Sequence, residues 1–145
     1  MVEILYFTAV TVWSVALAWV DFREHRLPDR LTLPAIPLAA GLVATMNQPA
    51  LGFASTAGVV LFAAGWVAHR VADLGLGDVK LLPSVGMLAA NSAQPADNLV
   101  EWFVAMSILG GIHAAIHLVI TRDRRSHIPF GPSILGGMWW ANISG

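Results

Sequence analysis

Two acidic residues, Asp21 and Asp78, lie at the edges of long apolar segments, where a charged side chain is costly unless it has a use. Two carboxyl groups held a few ångströms apart cannot both ionise cheaply, so such a pair shares one proton. The ionised member can deprotonate a water molecule. The protonated member can hydrogen-bond the scissile carbonyl and then pass a proton to the leaving amine. This is aspartic peptide hydrolysis, and it requires no metal or other cofactor.

The same acids also have simpler explanations, which the residues alone leave open. Asp78 can cap the amino terminus of the helix that follows it, and Asp21 can pair with a neighbouring arginine at a membrane interface. Gly75 and Gly77 flank Asp78 and fit the catalytic explanation, because glycine lets a substrate backbone approach closely.

The composition indicates that a lipid bilayer surrounds most of the chain. Of 145 residues, 57% are hydrophobic and 12% are charged, whereas soluble domains average about 45–50% and about 25%. Because a transmembrane helix needs roughly 20 apolar residues, we predict an all-α membrane protein. It is a polytopic bundle of about six transmembrane helices that forms one integral membrane domain over residues 1–145. The predicted spans cover about Ile4–Val20, Leu31–Met46, Leu51–Val71, Val79–Ala90, Leu99–Ile120 and Phe130–Ile143.

The distribution of positive charge predicts the orientation of these spans. The eight basic residues all fall in or beside the loops after the first, third and fifth spans; they are Arg23, Arg26, Arg30, Arg70, Lys80, Arg122, Arg124 and Arg125. Positive charge marks the cytoplasmic side, so both termini are expected outside the cell and both candidate acids at the cytoplasmic face of the inner membrane. The net charge of −1 gives no indication of a nucleic-acid partner.

Several motifs resemble those of the prepilin (type IV leader) peptidases, which are GxGD-type intramembrane aspartyl proteases. They occur in the family's order and span nearly the whole chain: Val20-Asp21-Phe22-Arg23, Leu27-Pro28-Asp29-Arg30-Leu31-Thr32-Leu33-Pro34, Gly75-Leu76-Gly77-Asp78-Val79-Lys80-Leu81-Leu82 and Ile128-Pro129-Phe130-Gly131-Pro132. The resemblance implies that Asp21 and Asp78 are the catalytic aspartates. It also implies a prepilin-like substrate, with a short basic leader before one apolar helix, cut at the cytoplasmic membrane face.

The chain departs from the longer members of that family in one respect. Those proteins carry an amino-terminal insert with paired CxxC motifs, which is associated with methylating the new amino terminus of the product. This chain contains no cysteine and resembles the short, peptidase-only members of Flp-type pilus systems. Methyl transfer is therefore predicted to be absent.

Other polar residues near the candidate site have less specific interpretations. Asp29 is expected either to cap the second span, a role that Thr32 can also fill, or to contact substrate. Lys80 is expected either to tune a nearby carboxylate or to extend its amine to the interface. His113 and His117 have a metal-ligand spacing, but the segment lacks the glutamate of HExxH, so no metal site is predicted.

A non-enzymatic transporter or assembly subunit is the competing interpretation. Transporters often carry polar residues at mid-span or paired broken helices. Here the strongly polar residues cluster at one predicted interface, which favours the peptidase.

Overall fold

The computed structural model describes residues 1–24, 27–72, 74–121 and 130–144, and this part of the chain is helical with no strand. Its helices are α1 (Val2–Glu24), α2 (Asp29–Thr32), α3 (Ala35–Met46), α4 (Leu51–Ala72), α5 (Leu76–Ala89), α6 (Pro95–Thr121) and α7 (Gly131–Ser144), with a 3-10 turn at Gln48–Ala50 before α4. The predicted all-α fold is therefore confirmed.

Three helices within the described ranges are long and apolar enough to cross a membrane. The qualifying segments are Ile4–Glu24, Gln48–Ala72 and Pro95–Ile120. At 1.5 Å per residue they extend about 31–39 Å, which matches a hydrocarbon core of about 30 Å. These segments are consistent with a multi-pass membrane protein.

The remaining predicted spans correspond to shorter helices. The helices α3, α5 and α7 contain 12, 14 and 14 residues, or about 18–21 Å. Helix α5 lies at the centre, because it packs against α3, α4 and α7 and buries every residue from Leu81 to Ala89. Its short apolar run is thus surrounded mainly by protein.

The second predicted span is interrupted, which corrects its expected continuous course. Pro34 and Pro37 have no amide hydrogen, so two of the usual helical hydrogen bonds cannot form and the segment divides into α2 and α3. The capping residues are Pro28 for α2 and Pro34 for α3, so the prediction that Asp29 or Thr32 caps this span is wrong. Thr32 is instead buried at the end of α2.

The predicted orientation rests partly on residues outside the described part of the chain. Arg26, Arg122, Arg124 and Arg125 all lie there. The cytoplasmic position of the site and the external position of both termini therefore stay predictions.

Close backbone packing joins α6 to α7. A Cβ atom on Gly137 would lie 2.9 Å from the Trp102 carbonyl oxygen and 2.9 Å from the Met106 nitrogen. Nearby, the buried Trp102 indole donates to the Ile134 carbonyl oxygen at 3.1 Å. Any side chain at position 137 would therefore push against backbone atoms that cannot rotate away.

We expect Gly137→Ala to lower the unfolding midpoint in detergent, with a loss of about 1–3 kcal/mol from overpacking. The matched control is Gly41→Ala on α3, where an added Cβ meets nothing within 4 Å. Because alanine is favoured over glycine in a helix by about 1 kcal/mol, the control should hold or raise the midpoint. A Gly137→Ala midpoint at or above wild type would contradict the packing described.

Candidate active site

Asp21 is buried near the carboxyl end of α1 and faces the start of α7. Its Oδ2 atom accepts a hydrogen bond from the Gly131 amide at 3.1 Å. A Cβ atom on Gly131 would lie only 2.5 Å from the same oxygen, so the contact requires glycine. The amino terminus of α7 thereby presents an N–H group and the positive end of a helix dipole to the carboxyl group, an arrangement that suits a negative charge.

Asp78 is buried in the first turn of α5. The N-cap of this helix is Gly75, so Asp78 occupies the third helical position and is not the capping residue. The carboxyl groups of Asp78 and Asp21 are close enough to interact electrostatically. Two acids separated by 57 positions (78 − 21) are thus brought to one end of the bundle.

The two glycines before Asp78 have different surroundings. Gly75 is exposed, and a Cβ there would lie 3.1 Å from the Asp78 Oδ2 atom. Gly77 is covered by Leu27, because a Cβ at that position would lie 2.7 Å from the Leu27 Cβ and 3.2 Å from its backbone nitrogen. Gly77 therefore serves close packing between chain segments, and Gly75 is the more accessible of the two.

Lys80 and Asp29 form an ion pair, with Nζ and Oδ1 separated by 2.6 Å. The pair joins α5 to α2 across 51 residues of sequence. On its other side, α2 accepts a hydrogen bond at the Leu31 carbonyl oxygen from the indole of Trp13 on α1 at 3.0 Å. The short helix α2 therefore contacts both of the helices that carry the candidate acids.

The structure shows two contacts at this end of the bundle that the sequence does not predict. One is the Gly131 amide; the Ile128–Pro132 motif indicates its neighbourhood, although Ile128 and Pro129 lie outside the described residues. The other is the ring of His69, whose Nδ1 lies 2.6 Å from the carbonyl oxygen of Leu74, the residue before Gly75. Neither pairing has a sequence signal, because one partner in each is a backbone group.

His113 and His117 lie one turn apart on α6 and are half-buried. Among the residues that the structure describes, no group of three histidine, cysteine, aspartate or glutamate side chains is placed to hold a metal ion.

Comparisons with a family model and with individual known proteins point to the same family. The model of the type IV leader peptidase family matches residues 8–115, a range that contains both acids. The prepilin leader peptidase/N-methyltransferase of Xanthomonas campestris pv. campestris is 32% identical over 92% of this chain and 49% of its own length. The Escherichia coli K12 protein of that name is 32% identical over 92% of this chain and 59% of its own.

A Neisseria gonorrhoeae protein of the same description is 30% identical over 90% of this chain and 45% of its own length. The chain thus spans about half of the length of the curated relatives that it matches. No solved structure is significantly similar to it.

The Lys80–Asp29 pair should contribute little to global stability, because the two side chains are 29% and 59% exposed. In a double-mutant cycle with Lys80→Met and Asp29→Asn, we expect a coupling of about 0.2–1 kcal/mol in the free energy of unfolding. Added salt should reduce it. The control is a second cycle that combines Lys80→Met with Asp97→Asn, where Asp97 is an exposed acid at the start of α6. This cycle should give no coupling. Equal coupling in both cycles would contradict the pairing.

Proposed function

The chain belongs to the type IV leader peptidase family, and from this we propose that it is an aspartic endopeptidase that removes the leader peptide from type IV prepilin or pseudopilin precursors of the Flp-like kind. The observation that carries the proposal is that Asp21 and Asp78 are both buried and lie close enough to interact electrostatically. Burying two acids together is costly, and acid–base catalysis is a use that justifies the cost.

The surroundings of the two carboxyl groups support different roles. Asp21 faces the Gly131 amide and the start of α7, so in this mechanism it is the ionised base that takes a proton from water. The resulting hydroxide attacks the scissile carbonyl carbon while protonated Asp78 hydrogen-bonds the carbonyl oxygen. When the tetrahedral intermediate collapses, Asp78 passes its proton to the leaving amine and the C–N bond breaks. The water proton held by Asp21 then returns to Asp78, which restores the starting state.

The neighbouring residues have supporting roles in this proposal. Gly75 is exposed beside Asp78 and is where substrate backbone would approach in this mechanism, while Gly77 lets Leu27 pack closely against the first turn of α5. The ion pair between Lys80 and Asp29 keeps α2 against that turn. No metal or other cofactor takes part in the proposed reaction.

We further propose that cleavage occurs at the cytoplasmic face of the inner membrane and leaves the new amino terminus unmethylated. The basic residues on one predicted side support the first point. The lack of cysteine supports the second, since the longer members resembled by this chain carry paired CxxC motifs.

Asp21→Asn and Asp78→Asn are each expected to reduce precursor cleavage by about 10²–10⁴-fold, the range contributed by general acid–base catalysis. Asparagine keeps the shape of aspartate but cannot exchange the proton. Co-expression with a candidate precursor, followed by gel shift and mass spectrometry of the product, measures both cleavage and methylation.

Asp97→Asn is the control for these variants and should cleave normally. Near-normal cleavage by either active-site variant, in membranes that contain the protein, rejects the catalytic pair and favours a transporter or assembly subunit. A methylated product in a strain without another methyltransferase rejects only the second part of the proposal.

Gly131→Ala tests the backbone contact to Asp21. The added methyl group would displace the carboxyl group that it otherwise overlaps, and misplacing a catalytic group by about 1 Å can cost on the order of 10²-fold. We expect kcat to fall by roughly 10–100-fold. Gly52→Ala on α4, where an added Cβ meets nothing within 4 Å, should retain wild-type kcat. Unchanged kcat in Gly131→Ala would show that this amide does not position Asp21.

A further inference from the structure

A cavity of about 410 Å³ lies between α4 and α6. Helix α4 packs mainly on α5, and α6 packs mainly on α7, so the two long helices form opposite walls of an open groove. We call this space the α4–α6 groove. Small residues, Ala64 and Ala68 on one wall and Gly111 and Ala114 on the other, keep it wide, while Leu82 of α5 contributes to its floor.

One end of the α4–α6 groove reaches the candidate active site. Leu74 and Phe130 line the groove, and each immediately precedes a glycine that borders a candidate acid. Gly75 lies beside the carboxyl group of Asp78, and Gly131 donates its amide to the other acid. A chain bound at the acids can therefore continue directly into the groove.

Physical chemistry restricts what such a chain can be. The residues that line the groove include no ionisable side chain in the described part of the protein, so its occupant must be apolar. Both walls belong to segments long and apolar enough to cross a membrane. Within the hydrocarbon region a polypeptide must satisfy its own backbone hydrogen bonds, which a single segment does as a helix.

The length of the groove agrees with a helical occupant. Its α6 wall runs from Trp102 to Ala114, a distance of about 18 Å at 1.5 Å per residue. A cavity this large also exceeds the water-sized voids left by ordinary interior packing.

We propose that the α4–α6 groove binds the apolar helix of the polypeptide substrate and so directs the adjacent peptide bond to Asp21 and Asp78. This inference rests on the proposed function and names the part of the substrate that the protein recognises inside the membrane. The groove selects an apolar helix by shape, while the two acids carry out the chemistry.

Photocrosslinking tests the groove without requiring cleavage. A benzophenone side chain is introduced at Gly111 in the Asp78→Asn background and irradiated in membranes that contain a prepilin precursor. The control position is Gly41 on α3; at both positions an added Cβ meets nothing within 4 Å, so both tolerate a larger residue. We expect a precursor adduct from position 111 and at least tenfold less from position 41. Equal yields, or adducts with lipid alone at position 111, overturn the proposal.

A cleavage assay provides the second measurement. Gly111→Leu fills the groove, and we expect kcat/KM for the precursor to fall at least tenfold, mainly through KM. Gly41→Leu gains the same helix propensity outside the groove and should match wild type. Wild-type kcat/KM in Gly111→Leu contradicts helix binding in the groove. If the wild-type protein cleaves no precursor, the proposed function fails, while the crosslinking result still decides whether the groove holds the helix.

Discussion

The structure depends on holding two carboxyl groups in a largely apolar bundle. Removing a charged group from water costs several kcal/mol unless it is paired, hydrogen-bonded or neutralised. The fold lowers this cost by bringing helix ends to the acids. Asp78 lies in the first turn of α5, and Asp21 accepts the amide of the first residue of α7. Both acids therefore lie near the positive ends of helix dipoles.

This arrangement explains why short helices occupy the centre of the bundle. A helix that starts at the level of the acids offers them its amino terminus, whereas a continuous span passing that level would offer only paired backbone groups. Helices α5 and α7 both start there and contain 14 residues each. The long helix α4 packs mainly on α5 and the long helix α6 mainly on α7, so each short helix is supported along one side by a helix long enough to cross a membrane.

Sequence reasoning succeeds here wherever the relevant signal is local. Apolar runs predict the helices to within a few residues, as the expected fourth span Val79–Ala90 and the observed α5 (Leu76–Ala89) illustrate. The break in the second span is less apparent, because Pro34 is tolerated in a first helical turn and its effect depends on Pro37 as well. The capping residues of α2 and α3 are both prolines, and prolines provide no side-chain cap that a pattern can identify.

The contacts that assemble the site are not local, and sequence patterns do not reveal them. Asp29 meets Lys80 across 51 positions, and Asp21 meets the Gly131 amide across 110. The sequence suggests possible roles for each of the two charged residues in the first pair, but not that they pair with each other. Their pairing depends on how α2 packs against α5. The second involves a backbone group, which every residue except proline possesses, so residue type cannot single it out.

Glycine provides the clearest link between sequence and site. Gly77 and Gly131 both belong to motifs with evident chemical interest, yet each occupies its position because another part of the protein lies where its side chain would be. At Gly77 that part is Leu27, and at Gly131 it is the carboxyl group of Asp21. A glycine beside a candidate catalytic acid therefore does not by itself indicate space for substrate. At Gly111, on the wall of the α4–α6 groove, an added Cβ would by contrast meet nothing within 4 Å.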